Sequence, residues 1–192
     1  MRAGRKVMAV LLAVGAVNLG QGLYLPAKAA FAQFLLQRAW QRGETAPEVI
    51  DASLRPWPWA DTYPVARLTG ERLPNEIFVL SGGSGRTLAF GPGHLEHTVL
   101  PGDSGNSVIA GHRDTHFRFL ADLQAGDRLR IDRRDGSHRI FEVTGLDVVD
   151  SRHAAITLDT DRPTLTLVTC YPFDAIEPGG PMRYVVTLQA PR

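Results

Sequence analysis

Three residues have side chains suited to covalent chemistry at a carbonyl group: Cys170, His112 and Arg183. Cys170 is the only cysteine in the chain, and its thiolate becomes available when cationic neighbours lower the thiol pKa from about 8.5. His112 can give and take protons near neutral pH. Arg183 carries a permanent charge and a fixed fork of N–H donors, which suits holding a carbonyl oxygen or an oxyanion. Together, the three would form a nucleophilic site for acyl transfer.

The cysteine lies at the end of a predicted strand, Thr164–Cys170. Apolar and β-branched residues alternate along it, and Pro172 cannot continue a strand ladder. Leu165 and Leu167 share one face, which we take as the core face, so Cys170 points to the opposite face at the strand end. The alternative is a small, buried, unreactive cysteine.

The last predicted strand begins at Arg183, which faces away from the apolar side formed by Tyr184, Val186 and Leu188. The segment from Tyr171 to Met182 is rich in Pro and Gly, so it reads as a loop that could place the two strands side by side. A solvent-facing arginine at a strand start is the simpler interpretation.

His112 follows the predicted strand Ser107–Ala110, and Gly111 would allow a sharp turn that projects the histidine from the strand end. A histidine in a loop is more often an ordinary surface residue.

From Trp59 onward the chain is predicted to be mostly β, in a closed barrel or a sandwich. A tight turn is expected at Asp135–Gly136, and a short helix at Phe117–Leu123. The candidate strands are Tyr63–Leu68, Glu76–Ser81, Thr87–Phe90, Ser107–Ala110, Asp127–Arg133, His138–Val149, Thr164–Cys170 and Tyr184–Gln189.

Residues 1–28 have the pattern of a transmembrane signal anchor. Three basic residues precede an uncharged run from Val7 to Ala27, which predicts a membrane-spanning helix with its N-terminus in the cytoplasm. A cleavable signal peptide is the alternative. Residues 29–58 then read as a helix, with Phe31, Phe34 and Leu35 along one side, followed by a linker whose Trp57 and Trp59 would fix the entry to a catalytic domain at 59–192.

Composition excludes several classes of function. With 21 basic and 20 acidic residues in 192, and no long basic run, nothing indicates nucleic-acid binding. One cysteine excludes an internal disulfide and a zinc site built from several cysteines. A single free cysteine in an exported chain suggests a reactive thiol.

Taken together, these motifs resemble the sortase family of cysteine transpeptidases. Thr-Leu-Val-Thr-Cys170 fits the TLxTC signature of that family, Ala-Gly-His112-Arg fits its histidine loop, and Arg183 on the next strand fits its arginine. The resemblance covers roughly residues 61–190. The segments from Phe90 to His94 and from Leu100 to Asn106 look most like classes D and E, and the short anchored chain looks most like the sortases of Gram-negative bacteria.

The resemblance implies a mainly β protein with a closed eight-stranded sortase-type barrel and short helices, preceded by the transmembrane helix. It implies catalysis by His112, Cys170 and Arg183, with Thr169, Tyr171 and His116 as expected substrate-binding residues. The donor would be a surface protein with a C-terminal sorting signal of the Leu-Pro-x-Thr-Gly type, and the acceptor an amine of the envelope or of a protein. The barrel would lie outside the cytoplasmic membrane. Some sortases use calcium, but the acidic residues here form no assignable cluster, so no cofactor is expected.

Other classes fit less well. L,D-transpeptidases carry their cysteine in a Ser-x-Gly-Cys-x-Arg context, and papain-like proteases place it before the histidine. The spacing of His94, His97, His112 and His116 leaves metal binding open. An exported binding module without catalysis also remains open, although it would not need Cys170, His112 and Arg183 together.

Overall fold

The structure is a computed structural model that describes residues 2–45, 51–177 and 179–191. One long helix precedes a mainly β domain with three short helical turns. The strands are β1 Pro64–Gly70, β2 Ile77–Ser81, β3 Gly93–His94, β4 Asn106–Ala110, β5 Arg128–Arg133, β6 His138–Asp150, β7 Thr164–Cys170 and β8 Met182–Gln189. The helices are α1 Arg2–Thr45, α2 Gly85–Leu88 and the 3₁₀-helices Asp51–Leu54 and Arg118–Asp122.

The eight strands close into a barrel in the order β1-β2-β3-β4-β7-β8-β6-β5, with β5 pairing back onto β1. Two neighbouring pairs, β2 with β3 and β4 with β7, are parallel. Because β4 and β7 run in the same direction, their last residues, Ala110 and Cys170, lie at the same end of the barrel. The predicted eight-stranded closed barrel is confirmed.

Alternation along β7 and β8 builds the centre of the core. Leu165 lies opposite Leu188 and Leu167 lies opposite Val186, and all four side chains are fully buried. Each such side chain contributes about 1.5–3 kcal/mol through removal of apolar surface from water. The predicted core faces of both strands are confirmed.

The second half of α1 packs against the outside of the barrel, but not through the predicted side. The buried stripe is Ala32, Leu36, Ala39 and Trp40, whereas Phe31 and Phe34 are 61% and 49% exposed. Leu36 and Trp40 form a cluster with Phe78 and Leu80 of β2. The helix is rotated this way because small alanines let it approach the barrel closely while Trp40 fills the space beside β2.

The uncharged run from Val7 to Ala27 lies within α1, which continues without a break through the helix predicted after Ala29. In the described part of the chain, no helix is both long enough and apolar enough to span a membrane.

Two local predictions were wrong, and one strand was missed. The predicted strand Thr87–Phe90 is instead helix α2 and its C-cap, because the Ser84 hydroxyl accepts a hydrogen bond from the Thr87 N–H and so starts a helical turn. β3 was not predicted, since two residues carry no periodic pattern. Trp57 packs edge-on against Phe90 as expected, but Trp59 is 83% exposed and fixes nothing.

Candidate active site

The structure places Cys170 and Arg183 directly opposite each other on neighbouring antiparallel strands. Directly opposed residues share a face of the sheet, with Cβ atoms about 4.5–5.5 Å apart. Both side chains are partly exposed, so the thiol and the guanidinium group are accessible at the same point of the barrel end. The sequence-based expectation that the loop brings them together is confirmed.

The loop carrying His112 leaves the barrel beside the end of β7. Ala110 lies next to Val168, and the Gly111 N–H donates to the Val168 carbonyl at 3.0 Å. His112 follows immediately and is exposed. The three predicted catalytic residues therefore lie in the loop after β4, at the end of β7 and near the start of β8, at one end of the barrel.

Gly111 is needed for a different reason from the one expected. It is absent from the glycines with positive φ, but a Cβ here would lie 2.7 Å from Cδ2 of the fully buried Phe117. Because the ring of Phe117, five residues after His112, lies so close to the backbone, position 111 requires a residue without a side chain.

Thr169 does not face the groove with Cys170. Its side chain is 2% exposed, and its hydroxyl donates to the Gly111 carbonyl at 2.7 Å. The residue alternates with Cys170 along β7 and therefore points to the inner face of the sheet. Its hydroxyl fixes the start of the histidine loop against β7, and the expected contact of Thr169 with substrate stays a prediction.

His116 is half-buried and lines a cleft of about 1180 Å³ between α1 and the barrel. Burial lowers the pKa of His116 below 6.5, and the nearby charge of His112 lowers it further. His116 is therefore mostly neutral at pH 7, beside the proposed proton donor, where it can line the cleft without adding a second positive charge.

Tyr171 belongs to an aromatic cluster that anchors the start of the β7–β8 loop. It stacks on Tyr184 with ring centroids 6.3 Å apart, and Phe173 meets Tyr184 edge-on at 5.2 Å. Burial raises the pKa of Tyr184, and the neighbouring Tyr171 and Asp147 raise it further. The Tyr171 ring is half-exposed and lies next to Cys170 in the chain.

Two arginines hold the β7–β8 loop (residues 171–181). Arg113 is 8% exposed, and its Nη2 donates to the carbonyls of Ala175 at 2.8 Å and Glu177 at 2.9 Å. Nη1 of Arg183 donates to the carbonyls of Gly180 at 2.7 Å and Met182 at 2.8 Å. Sequence reasoning missed the role of Arg113, since the only signal was its position immediately after His112.

The β6–β7 loop (residues 151–163) is held by Asn106, which sequence reasoning also missed. The buried amide donates from Nδ2 to the Thr157 carbonyl at 2.8 Å, while Oδ1 accepts from the Thr166 hydroxyl at 2.9 Å. No local pattern distinguishes this asparagine from the other polar residues of the turn before β4.

The histidines show no metal-binding arrangement. Among the residues that the structure describes, no three His, Cys, Asp or Glu side chains are grouped so as to hold a metal ion. His94 is 4% exposed, and its Nε2 lies 2.8 Å from the Val99 carbonyl and 3.1 Å from the Thr98 hydroxyl. Its ring therefore holds the turn after β3 in place.

The geometry provides a nucleophile, a group that can transfer a proton and a fixed cation at one exposed strand end. Attack of a thiolate on a carbonyl creates a negatively charged oxygen, which a planar guanidinium can stabilise. A leaving amine departs only when it is protonated, and His112 can supply that proton. The arrangement is suited to acyl transfer through a thioester.

Comparison with known proteins agrees with this interpretation. Residues 68–190 match the family model described as the sortase domain. Sortase D of Bacillus subtilis is 34% identical over 112 residues, an alignment covering 58% of this chain and 56% of that protein. The alignment thus spans about half the length of this curated relative.

Solved structures share the fold. A sortase D5 transpeptidase from Clostridium perfringens matches with a TM-score of 0.66 and 23% identity, over 85% of this chain and 99% of that one. Sortase A from Corynebacterium diphtheriae matches with a TM-score of 0.62 and 23% identity, over 84% of each chain. Sortase C-1 from Actinomyces oris matches with a TM-score of 0.59 and 30% identity, over 67% of this chain and 73% of that one.

Proposed function

The chain belongs to the sortase family, and we propose that it is a cysteine transpeptidase that transfers a peptide acyl group to an amine through a thioester on Cys170. The observation that supports this most directly is the cross-strand pairing of Cys170 with Arg183, beside the loop that carries His112. No other cysteine in the sequence could serve as the nucleophile.

In the first half of the proposed reaction, the Cys170 thiolate attacks the carbonyl carbon of the donor peptide. The electron pair of the C=O bond moves onto oxygen, where the Arg183 guanidinium stabilises the charge. The two hydrogen bonds that Arg183 makes to the β7–β8 loop use Nη1 alone, which leaves Nη2 and Nε to face this oxygen. The C–N bond then breaks as protonated His112 gives its proton to the leaving amine, and a thioester remains.

In the second half, neutral His112 removes a proton from the incoming amine, which attacks the thioester carbonyl. The tetrahedral intermediate collapses with the thiolate as leaving group, which regenerates Cys170 and forms the new amide bond. Each step uses a side chain of the chain itself, so we expect removal of calcium by a chelator to leave the rate unchanged.

We propose that the donor is a surface protein with a C-terminal sorting signal of the Leu-Pro-x-Thr-Gly type, cleaved after Thr, and that the acceptor is an amine of the cell envelope or of a protein. The β6–β7 and β7–β8 loops flank Cys170 and would determine which signal is accepted. Tyr171 is the proposed peptide contact nearest the nucleophile.

We propose that residues 1–28 attach the protein to the cytoplasmic membrane, with the N-terminus in the cytoplasm and the barrel outside. The support is the sequence pattern of basic residues before the uncharged run from Val7 to Ala27. Alkaline extraction of membranes, with protease treatment of spheroplasts, tests this proposal. Release of a soluble chain that begins near Ala30 would show cleavage instead.

The reaction is tested by intact-mass spectrometry of the full chain after incubation with a Leu-Pro-x-Thr-Gly peptide. We expect a mass increase equal to the acyl fragment, located on Cys170 by peptide mapping and lost on addition of an amine or hydroxylamine. Cys170→Ala is the matched control. A wild-type chain that never acquires the fragment with any peptide of this type would contradict the proposal.

A further inference from the structure

Arg113, the residue after His112, has a buried guanidinium group whose charge and hydrogen-bond donors are only partly satisfied. It is 8% exposed, and within the described ranges no carboxylate oxygen lies within 4.0 Å of its guanidinium group. Its Nη1 is buried without a hydrogen-bond partner among the described residues. Burying a charge in this way is unfavourable, and a neutral side chain would serve a purely structural purpose better.

The hydrogen bonds of Arg113 link two parts of the proposed site. Nη2 reaches across to the β7–β8 loop and donates to the carbonyls of Ala175 and Glu177. The far end of that loop is held by Arg183 through the Gly180 carbonyl. Two guanidinium groups therefore bond the middle and the far end of one loop. Cys170 immediately precedes that loop.

We propose that Arg113 is a positioning residue that couples the histidine loop to the β7–β8 loop and sets the shape of the donor-binding groove. The role of this groove rests on the proposed function. Arg113 touches neither the reacting atoms nor the substrate. It keeps His112 and the loop that orients Arg183 in one fixed relation while the donor peptide binds.

The test compares Arg113→Met, which keeps much of the side-chain volume but removes every donor, with Arg113→Lys. One nitrogen of Arg113 makes both hydrogen bonds, so a lysine ammonium with three donors should restore much of the link. Arg118→Met is the matched control, because Arg118 is exposed and lies in the turn that follows. The readouts are hydrogen exchange of residues 171–181 in the full chain and steady-state kinetics with the donor peptide.

We expect Arg113→Met to increase exchange in residues 171–181, to raise KM for the donor by about tenfold and also to lower kcat, because the loop that orients Arg183 is no longer held. Arg113→Lys should recover most of each effect, and Arg118→Met should resemble the wild type. Unchanged exchange in Arg113→Met would overturn the proposal, as would increased exchange without a change in KM. Failure of the wild-type chain to form a Cys170 adduct contradicts the proposed function instead, and the exchange data still decide whether Arg113 ties the two loops together.

Discussion

The two loops that flank the cysteine strand are held in different ways. The β6–β7 loop is exposed at every residue from 151 to 159. It is joined to β4 by Asn106, whose side-chain amide donates to the Thr157 carbonyl and whose backbone N–H donates to the Leu158 carbonyl. The β7–β8 loop is joined by two guanidinium groups and is anchored at its start by Phe173, which packs on the core. We call the β6–β7 loop, bonded to β4 through Asn106, the tethered loop. We call the β7–β8 loop, held by Arg113, Arg183 and Phe173, the braced loop.

The difference matches two tasks of the proposed enzyme. The oxyanion contact requires Arg183 within a few tenths of an ångström of its productive position, so the loop bonded to it has to be rigid. Recognition of a peptide tolerates more movement, because ordering of an exposed loop can accompany binding. Charged guanidinium groups hold the loop next to Arg183, whose geometry must be fixed. The neutral Asn106 amide holds the loop that only has to stay attached.

The largest expected effect comes from the strand that both loops flank. Cys170→Ala should abolish acyl transfer, because no other residue in the sequence offers a thiolate. The thermal midpoint should hardly change, since a small, partly exposed side chain leaves little cavity. Peptide turnover and thermal unfolding of the same preparation measure both. Retained activity together with a large loss of stability would identify a packing cysteine instead.

On the braced side, Arg183→Lys should lower kcat/KM by about a hundredfold or more, the usual scale for loss of one oxyanion donor. Lysine keeps the charge but lacks the planar fork that bonds the loop and the substrate oxygen together. Arg139→Lys, on an exposed position of β6, is the control and should change little. Equal effects of the two substitutions would show that Arg183 acts only through its charge or not at all.

On the tethered side, Asn106→Ala should raise KM for the donor by about tenfold and lower the free energy of unfolding by about 1–3 kcal/mol, because the Thr157 carbonyl and the Thr166 hydroxyl both lose their buried partner. The value of kcat should hardly move, since Arg183 keeps its own bonds. Kinetics, denaturant unfolding and hydrogen exchange of residues 151–159 measure these effects, with the exposed Ser104→Ala as control. A loss in kcat as large as that of Arg183→Lys would remove the distinction between the loops.

The smallest effect concerns His116, which lines the cleft between α1 and the barrel. Its pKa lies below 6.5, mainly through burial and secondly through His112. The unfolded chain therefore binds a proton more readily than the folded one, and the folded state loses stability as pH falls below 6.5. Between about pH 7.5 and about pH 5.5, the wild type should lose more stability than His116→Gln.

NMR titration gives the direct check on His116. His112→Gln should return only part of the shift, since burial is the larger cause. A midpoint of His116 at or above 6.5 in the wild type would contradict the structural assignment.

Sequence reasoning succeeded where side chains repeat with the period of a strand. β7 was predicted with its observed ends, Thr164 and Cys170, because alternation and Pro172 bound it on both sides. The pairing of Cys170 with Arg183 followed from matched faces and a short loop. The proposed catalytic residues could be named because their chemistry and spacing match a family signature.

Sequence reasoning failed where tertiary contacts determine the position of a side chain. Nothing in the composition shows that the charged Arg113 is buried or that Asn106 reaches a loop 51 positions away. Thr169 was named for its position before Cys170, and the composition does not show that its hydroxyl bonds the Gly111 carbonyl across the parallel pair. The rotation of α1 depends on which stripe meets Phe78 and Leu80, and this is fixed only when the barrel is present.

Closure of the barrel also limits how a peptide can be recognised. β7 is paired with β4 on one side and β8 on the other, so the cysteine strand has no free edge. A donor cannot bind by adding itself as a further strand, the mode in which backbone hydrogen bonds supply affinity over many residues. The proposed enzyme must instead read a few side chains in a short groove, which favours a brief sorting motif and leaves the sequence on either side free to vary.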